Sequence, residues 1–172
     1  MHPATHAQTD PDRVAYLMAG SGETVTYGQL NDRSNQGAQL FRSLGLNVGD
    51  VIAIFMENNA RYFEIAWAAQ RAGLYYTCIS SKLTAGEIEY IVGDCGAKVL
   101  ITGKSLSATA LEAAALLPDS VKLYMCEGVV PPFESFEEAR AAFPTTMIDD
   151  PSPGMTMLYS SGTTGRPKGV RR

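Results

Sequence analysis

Metal-binding and disulfide-forming residues are scarce: the 172 residues include two histidines and three cysteines. Cys78, Cys95 and Cys126 form no CxxC pair and have no histidine near them in sequence, which excludes a zinc set and a disulfide framework. Their odd number fits reduced, mostly buried thiols in a cytoplasmic protein. Long apolar runs are also missing. Residues 151–165, the longest uncharged stretch, are broken by Pro153, Gly154 and Gly162, so no transmembrane segment is expected. Residues 1–12 have no apolar core of the kind a secretory leader requires. They read as a polar arm in which His2 and His6 are solvated. Positive charge is thin as well. Of 14 Lys and Arg, four fall at Arg166, Lys168, Arg171 and Arg172, leaving 10 to face all 18 acidic residues. That balance argues against a nucleic-acid partner, which needs clustered cations.

The composition is that of a folded protein, 45% hydrophobic and 19% charged. Residues 14–18 and 24–26, separated by Gly20 and Gly22, read as a hairpin. Thr26 to Gln29 forms a capping box with a Val25/Leu30 staple, predicting a helix over 27–44 that Gly45 ends. Strands are expected at 51–56, 75–79, 98–102, 121–125 and 155–160. Helices are expected at 60–72, 84–95 (capping box Thr84/Glu87, staple Leu83/Ile88), 106–117 and 133–143. In the helix over 60–72, Phe63, Ala66, Trp67 and Gln70 trace one face, and Trp67 reads as core. Tyr75 and Tyr76 are adjacent in a strand and must point to opposite faces, so they cannot form one stacking pair. This alternation predicts an α/β fold: a doubly wound, mostly parallel sheet of right-handed βαβ units with flanking helices. Residues 128–132 and 143–154 are the loosest connections and are too short to divide domains, so 13–172 is one unit.

The chemistry concentrates where the last strand ends. Ser160, Ser161, Gly162, Thr163, Thr164, Gly165, Arg166, Pro167, Lys168 and Gly169 combine three glycines, four hydroxyls and two cations. Glycines let backbone N–H groups converge on an anion, hydroxyls donate to its oxygens, and Lys168 and Arg166 supply charge. In an α/β sheet such a loop lies where ligands bind, outside the carboxyl ends of the strands. An ordinary solvated Ser/Thr/Gly turn has the same composition. The loop is not a GxxxxGK[ST] P-loop, because Gly169 follows Lys168, and no GxGxxG opens a helix.

Residues 159–170 closely resemble the signature loop of the adenylate-forming (AMP-binding) superfamily: acyl-CoA synthetases, peptide-synthetase adenylation domains and firefly-type luciferases. Residues 25–30 and 71–79 resemble two earlier motifs of that family, with Cys78 where the family usually has proline. The resemblance implies an ATP-dependent acid–thiol ligase of the acyl-CoA synthetase type. In that scheme ATP, Mg2+ and CoA serve the full-length enzyme, with a small-molecule carboxylic acid, fatty in character, as substrate. The loop residues Ser160 to Arg166, Lys168 and Gly169 would hold the β- and γ-phosphates. No catalytic or metal-ligating residue is assigned within this chain, and Asp149 and Asp150 sit at the wrong end of the last strand to bind a metal. The family's remaining motifs lie beyond this sequence. The chain is therefore expected to be an N-terminal part of the AMP-binding domain, inactive alone, with an exposed apolar face that favours self-association. An amino-acid-adenylating fragment, a stand-alone nucleotide- or anion-binding module, and a protein-interaction fragment are the alternatives.

Overall fold

In a computed structural model, residues 2–160 and 168–170 of the chain are described. β1 (Val14–Leu17) and β2 (Thr24–Thr26) pair antiparallel as a separate two-stranded sheet. The central sheet has seven strands: β3 (Val51–Phe55), β4 (Tyr75–Ile79), β5 (Ala97–Gly103), β6 (Lys122–Cys126), β7 (Glu134–Ser135), β8 (Met155–Ser160) and β9 (Lys168–Val170). They lie in the order β7-β6-β5-β3-β4-β8-β9, and every pairing is parallel except β8 with β9.

The central strand shows why its apolar run has no polar partner face. Ile52 and Ile54 of β3 pack towards α2 (Tyr27–Ser43), α3 (Ala60–Arg71) and α6 (Phe136–Ala141). Val51, Ala53 and Phe55 pack on the other side, against α4 (Ala85–Cys95) and α5 (Ser107–Ala114). All five are buried, as a strand covered on both faces requires. Tyr75 and Tyr76 divide in the same way between the two apolar clusters, so the expected opposition of the two rings holds.

The start signals read from sequence are made in space. Gln29 N–H donates to Thr26 Oγ1 at 3.2 Å while Thr26 N–H donates to Gln29 Oε1 at 3.1 Å, and Val25 packs with Leu30 below them. At α4, Thr84 N–H and Oγ1 both donate to Glu87 Oε2 at 2.8 Å, which holds that carboxyl below its ordinary range. Gly96, in the left-handed conformation with φ 67°, ends the helix.

Several elements depart from expectation. The polar arm contains a helix, α1 (Pro3–Thr9), packed on α2. His2 and His6 are not simply solvated. His2 Nδ1 accepts the Ala4 N–H at 3.2 Å, its ring meets Trp67 edge-on at 4.8 Å, and the His6 ring lies 4.7 Å from Tyr27. Trp67 itself is only half-buried. In α3 the inner face is Ala60, Glu64, Ile65, Ala68, Ala69 and Arg71, whereas Phe63 is exposed. Small inner residues let α3 approach α2 closely: a Cβ at Gly37 would stand 2.7 Å from that of Ala68. Aromatic rings cannot enter that contact, so the hydrophobic stripe is displaced to the rim. The stretch at 106–117 begins as a 3-10 turn, Lys104–Leu106, before α5. That at 133–143 begins with strand β7 before α6.

Candidate functional site

Strand β3 leads into α3 on one face of the sheet, while its neighbour β4 leads into α4 on the other. Such a divergence opens a crevice at the carboxyl ends of the two strands. There, Glu57, Asn58, Tyr62, Cys78, Ser80 and Ser81 line a cavity of about 510 Å³. Ser105, after β5, donates a hydrogen bond to the Glu57 carboxylate. Burial, and then the hydrogen bond with Cys78, raises the Tyr62 phenol; Cys78 is exposed at its surface, and partial desolvation within the crevice raises its thiol. Both are therefore uncharged near neutral pH, and the wall they form offers hydrogen bonds rather than charge.

β8 runs beside β4 in parallel, with Tyr75, Tyr76 and Thr77 opposite Met155, Thr156 and Met157. This register carries the carboxyl end of β8 towards the same edge of the sheet as Ser80 and Ser81. Of the residues predicted to form the phosphate cradle, Ser160 closes β8, and Lys168 and Gly169 open β9. Ser160 is the register partner of Lys168 across the antiparallel β8/β9 pair. The sequence reading treats Lys168 and Gly169 as loop, and β9 is an element it does not anticipate. Ser161, Gly162, Thr163, Thr164, Gly165 and Arg166 lie outside the described residues.

Gly169 has a structural task. A Cβ there would lie 2.3 Å from Met157 Cε and 3.0 Å from the Tyr159 ring. Its lack of a side chain lets Tyr159 cross β9, and Tyr159 Oη donates to Asp94 Oδ2 at 2.5 Å, at the end of α4. Burial, followed by this bond, raises the Tyr159 phenol. The β8/β9 pair is thus tied to the helix layer through Tyr159.

Asp150 is engaged elsewhere: both its oxygens accept from Arg42 Nε, at 3.0 and 3.1 Å. Among the described residues no three of His, Cys, Asp and Glu are grouped to hold a metal ion. Glu57, Asn58, Tyr62 and the Ser80–Ser81 pair were missed by motif reading. Their signal was positional: each follows or flanks the end of an inner parallel strand.

The fold is that of an α/β protein with a crevice at the carboxyl edge of a mostly parallel sheet. The family model described as "AMP-binding enzyme" matches residues 4–171, and the chain belongs to that family. It is 34% identical over 172 residues to long-chain fatty acid transport protein 1 of Bos taurus, covering 94% of this chain and 26% of that protein. It is 31% identical to the fatty acid–[acyl-carrier-protein] ligase ScoC of Streptomyces coeruleorubidus, covering 96% and 31%. Among solved structures it is similar to a Mycobacterium tuberculosis fatty acyl CoA synthetase, with a TM-score of 0.81 and 26% identity over 98% of this chain and 33% of that one. The chain thus spans roughly a quarter to a third of the length of these relatives.

Proposed function

We propose that residues 13–172 form the first α/β part of the AMP-binding domain of an ATP-dependent acyl-CoA synthetase acting on a fatty or other apolar carboxylic acid. A carboxylate is a poor acyl donor until its oxygen becomes a leaving group. Attack of that oxygen on the α-phosphorus of ATP forms the acyl-adenylate and expels pyrophosphate. The CoA sulfur then attacks the acyl carbon, a C–S bond forms, and AMP leaves with the oxygen.

In this reading the part played by the chain is to position the triphosphate. The segment between Ser160 and Lys168 wraps the β- and γ-phosphates with hydroxyls and amides, and Lys168 offsets their charge, which is electrostatic and orientational help rather than proton transfer. The observation that carries the reading is the family match over residues 4–171, joined to a hydroxyl- and glycine-rich segment at the carboxyl end of β8. The three free thiols fit a cytoplasmic setting. A second reading has a favouring observation: ScoC, by its name, passes a fatty acid to a carrier protein, so the thiol of a carrier protein is the alternative acceptor.

The test uses a longer protein containing this chain. Lys168→Ala is expected to cost about 1.5–3 kcal/mol in kcat/KM for ATP, the worth of a charged hydrogen bond. Unchanged nucleotide kinetics would remove the lysine from the site. In the same experiment the 172 residues alone are expected to give no acid-dependent ATP–pyrophosphate exchange; measurable exchange would refute their incompleteness.

A further inference from the structure

Arg71 ends α3 and is only 4% exposed. Its Nη1 donates to Asn35 Oδ1 at 2.7 Å and its Nη2 to Asn31 Oδ1 at 3.0 Å, both neutral amide acceptors on α2. Its Nε is buried and finds no acceptor among the described residues. The other arginines of this layer each have a carboxylate partner. Arg33, Arg61 and Arg140 converge on Glu64, and Arg42 pairs with Asp150. Arg71 makes no such pair among the described residues; the exposed Asp32 acts on it only at a distance. A guanidinium in this position is desolvated without a counter-charge, the costliest way to bury a cation.

Arg71 lines a cavity of about 350 Å³ with His2, Gln70, Met147, Pro151, Ser152 and Pro153. The parallel bridge between Ala72 and Ser152 places this cavity before β4 and β8, at the amino ends of the strands, opposite the crevice described above. Its mouth is apolar, since Met147, Pro151 and Pro153 are all exposed. His2 adds no second positive charge near neutral pH: its imidazole is held below its ordinary range by burial and by the Arg71 charge. Among the described lining residues Arg71 is the one buried cation, Gln70 and Ser152 are neutral polar groups, and Met147, Pro151 and Pro153 give apolar surface at the mouth. A single charge behind an apolar mouth suits a monoanion with a short hydrocarbon tail better than a hydrated phosphate dianion.

We propose that this cavity binds a small monocarboxylate, its carboxylate against Arg71 and its tail against Met147, Pro151 and Pro153. The ligand supplies the counter-charge that the chain withholds. Trp67 is the one tryptophan of the sequence, and the His2 ring lies 4.8 Å from it, so occupancy has a built-in reporter.

The experiment titrates the 172-residue chain with sodium butyrate at constant ionic strength and follows Trp67 fluorescence. A saturable change is expected with butyrate, none with sodium chloride, and a weaker one with phosphate. Arg71→Gln is expected to abolish it and Arg71→Lys to weaken it. Ser152→Asp places a carboxylate in the wall, so it is expected to raise Tm and remove the butyrate response together; it decides the matter if Arg71→Gln does not fold. The proposal is overturned by the absence of saturation, by an equal response to chloride or phosphate, or by a butyrate response that survives in Ser152→Asp. None of these outcomes bears on ATP use by a longer protein, so the synthetase reading stands or falls separately.

Discussion

Glu64 is the residue on which the α2, α3 and α6 layer is pinned. Its side chain is fully buried, and Arg33 at 2.9 Å, Arg140 at 3.0 Å and Arg61 at 3.3 Å surround it, with Arg61 also paired to Glu23. Removing the carboxylate would leave three guanidinium groups without their common partner. Breaking a buried ion pair from one side costs about 3–5 kcal/mol, and Glu64→Gln is expected to fall in that range in a urea unfolding series. A loss under 1 kcal/mol would show that water replaces the carboxylate freely. His2 gives a pH dependence at the same scale. Its Nδ1 must be unprotonated to accept the Ala4 N–H, and its folded pKa lies below the ordinary value of 6.5. The unfolded chain therefore takes up the proton first, so this contribution is present above pH 6.5 and lost as pH falls through the lowered value. Asp150, held down by its Arg42 hydrogen bonds, titrates below the ordinary carboxylate range and leaves that window clear. Tm is expected to drop between pH 7.5 and 5, and His2→Asn, which keeps a capping acceptor, is expected to flatten that drop.

At the level of elements, the β8/β9 pair shows what a motif can hide. Lys168 and Gly169 read as members of a binding loop, and the structure gives both a backbone partner in a strand. A motif describes which groups are present and leaves open which of them are taken up by strand pairing. Gly169→Ala would press a methyl group into Met157 and Tyr159 and displace the ring from Asp94. The variant is expected to lose about 1–3 kcal/mol by overpacking, with Tyr159 becoming more accessible to near-ultraviolet difference spectroscopy. Unaltered stability would mean that β9 lifts away at little cost. Helix α3 offers a related lesson. Phe63, Ala66, Trp67 and Gln70 recur at helical spacing as regularly as the true inner face, which carries the charged Glu64 and Arg71. Hydrophobic periodicity cannot favour a stripe whose charges are met largely by residues of other helices, as Glu64 is by Arg33 and Arg140 and Arg71 by Asn31 and Asn35.

For the whole molecule, the sheet edge is the conspicuous surface. Leu158 and Val170 are register partners and are 53% and 48% exposed, and Met155 on the same strand is 49% exposed. Exposed apolar strands at a sheet edge template association. The 172-residue chain is expected to self-associate with rising concentration in sedimentation velocity, and Leu158→Lys with Val170→Lys is expected to shift it towards monomer. A clean monomer at every concentration would show that this edge is not adhesive.

Local chemistry alone determined much of this protein. The capping boxes at Thr26 and Thr84, the doubly buried strand at Val51–Phe55 and the opposed tyrosines of β4 are set by neighbours within a few residues or by strand periodicity, and each is legible in order along the chain. The signature around Gly162 to Lys168 was legible for the same reason. Tertiary structure decided what depends on partners distant in sequence. It turned the Glu64 face of α3 inward, because three arginines from three elements meet it there, and it packed α1 onto α2. It gathered Glu57, Tyr62, Cys78 and Ser80 at one edge, and it left Arg71 buried beside a cavity with only amides for company. Burial of a charge becomes affordable only when a fold supplies its partners, and for Glu64 two of the three, Arg33 and Arg140, lie 31 and 76 positions away.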